Sequence, residues 1–171
     1  NSADEGESCL LHRMERSMFT VMLSAPYMNS LLERFQPVFD YYQIRVLLPE
    51  VHERMEEAEL LAFAGQVDGV ICGDDRFSAR VLKCFAPRLK IISKWGTGVD
   101  SIDRQAAAEL GILVRNTPNA FTLPVADTVL GYMLTFARRL PWMDAAMKTG
   151  EWKKIPGRSL SECTLGVIGV G

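Results

Sequence analysis

The segment KWGTGVDSID, residues 94–103, sets Gly96 and Gly98 one residue apart between an apolar run and a short helical stretch. Glycines let the backbone turn sharply and line up successive N–H groups, an anion-binding arrangement that a following helix N-terminus strengthens. A carboxylate is the natural guest. The same residues also read as a plain tight β–α turn with Asp100 or Ser101 as helix cap. A second glycine pair stands in LGVIGVG, residues 165–171. There a short apolar run enters Gly169-Val170-Gly171. A dinucleotide phosphate loop opens this way: strand, G-x-G, two more residues, then a third glycine at a helix start. Alone, G-x-G is common at strand ends. It gains weight here from the α/β pattern that precedes it.

That pattern must position both glycine pairs. Continuous apolar runs at 19–25, 44–48, 68–73, 89–93 and 112–115 read as strands. Helical periodicity covers 27–41, with Pro37 inside it, and 51–64, with an acidic face of Glu53, Glu56, Glu57 and Glu59. Two shorter helices follow, one capped by Ser78 and running to Phe85, one over 101–110 stopped by Gly111. The order β-α-β-α-β-α-β-α-β, with strands apolar throughout, predicts a doubly wound parallel sheet covered on both faces, with ligands at the carboxyl ends of its strands.

After residue 116 the texture changes. Thr122 is expected to cap a long helix with Pro124 in its first turn. Val125, Val129, Leu130, Met133, Leu134, Phe136 and Ala137 are expected to face a core. Pro141 opens a second helix ending near Gly150, and residues 164–168 are expected to form a strand. The expected organisation is a tail over 1–17, disordered or preceding a start at Met14 or Met18, then a substrate domain over 18–118 and the opening of a second domain over 119–171.

The bulk numbers exclude several classes. With 19 Lys and Arg against 21 Asp and Glu, the chain has no basic surplus for nucleic acid. No apolar run reaches the roughly 18 residues that span a bilayer, so no membrane partner is expected. Cys9, Cys72, Cys84 and Cys163 form no C-x-x-C pair, and His12 and His52 do not complete a metal-ligand pattern. The expectation is reduced thiols in a cytoplasm and no bound metal.

WGTGVDSID, AAAELGILVRNTPNAF, VADTVLGYMLTFARRLPWMDAAMKTGEW and TLGVIGVG, taken together, closely resemble the D-isomer-specific 2-hydroxyacid dehydrogenase family, nearest to its phosphoglycerate dehydrogenase-like branch. The likeness is residue by residue over about 90–171 and one of rhythm only over 19–89. It implies a flavodoxin-like substrate domain followed by a truncated start of a Rossmann domain. Hydride would pass between C2 of a small 2-hydroxy/2-oxo acid and NAD, with NADP not excluded. The resemblance implies that Gly96, Thr97, Gly98 and Val99 cradle the substrate carboxylate, that Thr97 also approaches the cofactor, and that Gly169 and Gly171 hold the pyrophosphate. It implies a homodimer formed partly through the helix from Val125.

The family's catalytic Arg, His and acidic partner normally follow the glycine loop. Neither His12 nor His52 matches that histidine, so no catalytic acid or base is expected within these 171 residues. The chain is therefore expected to be the N-terminal portion of a longer enzyme. Residues 119–171 alone are expected to be poorly stable unless they dimerise. The alternative reading is a non-enzymatic, NAD-sensing corepressor-like module or an inactive fragment. Two departures from the family pattern stand out. Val125-Ala126-Asp127 replaces Val-Ala-Glu. Cys72-Gly73-Asp74-Asp75-Arg76 stands where the phosphoglycerate branch offers Arg-Ser to a phosphate. Two carboxylates there disfavour a phosphorylated substrate, and Arg76 is expected to pair with Asp74 or Asp75.

Overall fold

The computed structural model describes residues 19–169, which divide into two compact units at Pro118/Asn119. The first unit runs β1 (Phe19–Leu23), α1 (Pro26–Asn29), α2 (Leu32–Tyr41), β2 (Ile44–Leu47), α3 (Glu57–Leu61), β3 (Gly69–Cys72), α4 (Ala79–Phe85), β4 (Ile91–Lys94), α5 (Arg104–Glu109) and β5 (Leu113–Arg115). Its five strands are all parallel and lie in the order β2-β1-β3-β4-β5. This is the flavodoxin-like doubly wound order, whose direction reverses between β1 and β3. The carboxyl ends of β1, β3 and β4 therefore open side by side.

Side chains alternate across the sheet as the pleat requires. Met22, Val70, Cys72 and Ile92 join Leu60, Val81, Leu82, Phe85 and Ala107 in one buried cluster beneath α3, α4 and α5. Their neighbours Leu23 and Ile71 point the other way and pack with Met28 and Phe39 of α1 and α2. Cover on that second face stops short of the far edge, where Ile91 is 38% and Leu113 54% exposed. Coverage of every strand on both faces, expected from their uniform apolarity, does not hold for β4 and β5, because α1 and α2 reach only the β1 side.

Several expected boundaries shift. The helix expected over 27–41 breaks into α1 and α2 between Asn29 and Leu32, while Pro37 stays inside α2. The helix expected over 51–64 is only Glu57–Leu61, opened by a capping box between Glu56 and Glu59. Residues 51–55 are held out of the helix from a distance: the Met55 N–H donates to the buried Asp75 carboxylate, and the Met55 carbonyl accepts from the Arg76 N–H. Asp103 caps α5 by accepting from the Ala106 N–H at 2.9 Å, so neither Asp100 nor Ser101 is the cap. Gly111, at φ +71°, ends the following turn as expected.

Asp68, just before β3, accepts from the Thr20 N–H at 2.8 Å and pairs with Arg88 at 3.2 Å. The Arg88 guanidinium holds its carboxyl below the ordinary value of 3.8. A lowered folded-state value adds stability that is present above pH 3.8 and lost as pH falls through the folded value. The Asp68→Asn chain is therefore expected to lose less stability between about pH 4 and 2 than the parent. The pair is partly exposed, so the difference is at most about 1 kcal/mol. Urea titrations across that range check it, and parallel curves would refute it.

The second unit holds α6 (Thr122–Ala137), α7 (Leu140–Lys148) and a 3-10 turn at Leu160–Glu162. Arg139, at φ +58°, turns the chain between the helices and lays its guanidinium 5.2 Å above the Trp142 ring, a cation–π contact. Thr122 is the first residue of α6 rather than its cap, which is Phe121 without a side-chain bond. The apolar stripe expected to face a core is largely exposed, with Leu130 at 52% and Phe136 at 61%. Residues 164–168 form no strand, and Ile168 is fully exposed. A single apolar segment has no ladder partners of its own, so without neighbouring strands its N–H and C=O groups stay with water.

Candidate functional site

The loop after β4 is anchored on both sides. Trp95 donates its N–H to the Cys72 carbonyl at 2.8 Å, which prolongs the β3–β4 ladder. Gly96 then turns at φ +154°, its N–H on the Lys94 carbonyl and its own carbonyl accepting from the Thr117 N–H. That backbone conformation favours glycine. The Thr97 hydroxyl donates to the Thr117 carbonyl at 3.1 Å, and the Asn116 amide donates to the Thr97 carbonyl at 2.7 Å. The loop is thus stapled to the end of β5. Meanwhile the N–H groups of Thr97, Gly98 and Val99 have no partner among the described residues. Unpaired successive donors on a fixed loop at a strand's carboxyl end are what an anion needs.

Beneath the loop, Lys94 ends β4 with only 4% exposure and donates its ammonium to the Gly73 carbonyl and the Asp74 carboxylate. A Cβ on Gly96 would sit 3.4 Å from the Lys94 side chain, so the loop backbone lies directly over that cation's stem. Sequence reasoning missed Lys94. Its only signal is a charged residue closing the apolar run IISK.

The expected pairing of Arg76 with Asp74 or Asp75 is not what forms. Asp75 is fully buried, accepting from the Ser24 hydroxyl at 2.5 Å and the Met55 N–H at 2.6 Å. Burial pushes its carboxyl above the usual value. Asp74 is taken by Lys94. Arg76 instead pairs with Glu56 at 3.2 Å, and the other Glu56 oxygen holds Arg54 at 2.9 Å. The two adjacent aspartates point in different directions because Asp75 completes the β1–β3 crevice from inside while Asp74 faces out. Cys72 lies beneath, its thiol pushed up to about 12 by burial and then by the Asp75 charge, so it stays protonated and is no nucleophile.

An open cleft of about 750 Å³ adjoins the loop, bordered by Gly98, Asp100 and Ser101 on one side and Asp74, Arg76 and Arg54 on the other. A parallel bridge between Phe77 and Ile102 forms its floor, with the Phe77 N–H on the Ser101 carbonyl. Gly96, Thr97, Gly98 and Val99 therefore stand together at one site. Gly169 lies in the other unit, in exposed coil at φ +78° with open space around it, and Gly171 is outside the described residues. Among the described residues no strand leads into Gly169. His52 is on the surface with its side chain 95% exposed, while Cys9 and His12 lie outside the described residues. Among the described residues no cluster of His, Cys, Asp or Glu has metal-ligand geometry, and no helix is long and apolar enough to cross a membrane.

The first unit is thus a flavodoxin-like parallel sheet with a glycine loop of unpaired N–H groups at the carboxyl end of β4. The family model for D-isomer specific 2-hydroxyacid dehydrogenase, catalytic domain, matches residues 21–163, and the chain belongs to that family. It is 40% identical over 124 residues to a D-3-phosphoglycerate dehydrogenase of Methanocaldococcus jannaschii, covering 71% of this chain and 24% of that protein. It is 38% identical over 122 residues to a hydroxypyruvate reductase of Thermotoga maritima, covering 70% and 40%. The fold matches a D-lactate dehydrogenase of Aquifex aeolicus, solved with NAD and lactic acid. That match has TM-score 0.71 and 24% identity, and covers 89% of this chain and 44% of that one. The chain thus spans only part of its relatives' length.

Proposed function

We propose that this chain is the N-terminal, substrate-holding portion of an enzyme that transfers a hydride between NAD(H) and a small 2-hydroxy/2-oxo acid, working as a homodimer in the cytoplasm. Family membership supports the oxidoreductase class. The observation that carries the substrate assignment is the row of unpaired N–H groups on Thr97, Gly98 and Val99. They donate charge-assisted hydrogen bonds to the substrate carboxylate, which orients the neighbouring C2 without any side chain of this unit having to react. The stapling of the loop to residues 116–117 pre-organises those donors. The resemblance supports Thr97 at the cofactor's edge and Gly169 and Gly171 at its pyrophosphate. NAD is the cofactor bound by the Aquifex aeolicus relative.

The test is a titration of the ¹⁵N-labelled chain with pyruvate and with methyl pyruvate. The acid is expected to shift the amide resonances of Thr97, Gly98 and Val99 downfield in a saturable way. The ester, which lacks the charge, is expected to need at least about tenfold more ligand for the same shift. Equal response to both compounds, or none at those three amides, would refute the reading.

A further inference from the structure

The cleft beside the loop carries a charge pattern that bears on the far end of the substrate. Its two arginines, Arg54 and Arg76, are both held by Glu56, at 2.9 and 3.2 Å. The buried cation Lys94 is spent on Asp74. Three further carboxylates border the cleft, Glu57, Asp100 and Asp103, and none has an ion-pair partner among the described residues. The cleft lining thus carries four carboxylates, Glu57, Asp74, Asp100 and Asp103, against two cations, Arg54 and Arg76, both engaged by Glu56. Gly98 borders the cleft itself, so a ligand whose carboxylate sits on its N–H group can extend along this lining.

Resting on the reading above, we propose that the cleft selects a 2-hydroxy/2-oxo acid whose third carbon bears an uncharged group, hydrogen or hydroxyl, and rejects one bearing phosphate or a second carboxylate. Glu56 is the specificity-determining residue. A phosphate dianion placed there meets like charge and must first pull Arg54 or Arg76 away from Glu56. A hydroxyl carries no such cost. On this proposal the exclusion does not run through the Asp74-Asp75 pair: Asp75 faces inward and Asp74 is paired with Lys94, and the repulsion comes from residues far apart in sequence.

The test compares hydroxypyruvate with 3-phosphohydroxypyruvate on the ¹⁵N-labelled chain at pH 7.5 and low salt, following the amides of Thr97, Gly98 and Val99. Hydroxypyruvate is expected to half-saturate the shifts at about tenfold lower concentration, a preference that shrinks in about 0.5 M salt. Glu56→Gln keeps the oxygen that caps α3 but removes the charge, and it is expected to narrow the preference about threefold or more. Glu57→Gln, which touches neither arginine, is expected to narrow it less. Phosphohydroxypyruvate binding the parent chain as tightly as hydroxypyruvate would overturn the inference and leave the carboxylate reading standing. Failure of both ligands to move the three amides would overturn both. A folded Glu56→Gln chain with an unchanged preference would overturn the role of Glu56.

Discussion

Phe85→Ala is expected to lower the stability of the first unit by about 3–5 kcal/mol. Phe85 is the last residue of α4, has no exposed surface, and packs edge-to-face on Phe77 at 5.9 Å between ring centroids. Removing the ring loses its transfer free energy and the aromatic pairing, and leaves a hole between α4 and the sheet. Collapse into that hole is resisted from both sides. Ile92 and Val70 are fixed in the β3–β4 ladder, and Phe77 is held by its backbone bond to Ser101. Hydrogen exchange at the Val70 and Ile92 amides, which open with the unit as a whole, reads the loss without interference from the second unit. A change below about 1 kcal/mol would show that the cluster repacks and is not rigid. Phe85→Leu, which keeps most of the volume, should cost well under half as much.

Asp75→Ala is expected to cost about 3 kcal/mol, although the residue lies on a loop. Its carboxylate is the only partner that the Met55 N–H has among the described residues, and it takes the short bond from the Ser24 hydroxyl. Alanine leaves a buried N–H unpaired and frees the segment that carries Arg54 and Glu56. The variant should therefore also weaken the preference for the unphosphorylated acid. Asp75→Asn retains an acceptor and should cost less. It should also change the pH dependence. Burial raises the folded-state value of Asp75, so its contribution is fully present below the unfolded value of 3.8 and is lost as pH rises through the folded value. Asp68 acts in the opposite direction. A plot of stability against pH above 3.8 should be flatter in Asp75→Asn than in the parent. An unchanged slope would mean that Asp75 is not protonated in the folded chain at any pH reached.

The glycine pair at 96 and 98 and the rhythm of apolar runs were legible because both are local. A short continuous apolar run between turn signals marks a strand, and a sharp turn at its end favours glycine. The sequence by itself therefore determined the doubly wound order, the loop at the end of β4 and the family. Tertiary structure alone decided four other things. It shortened the helix expected over 51–64, because Asp75 claims the Met55 N–H from 20 residues away. It split Asp74 from Asp75, because Asp75 takes the Ser24 hydroxyl and the Met55 N–H while Asp74 takes Lys94. It gave Arg76 to Glu56 rather than to the adjacent aspartates. It also withheld a strand from residues 164–168, since a strand exists only through the ladder it joins. Each of these outcomes depends on partners distant in sequence. Periodicity and motif report what a segment offers, and long-range hydrogen bonds and ion pairs decide which offer is taken.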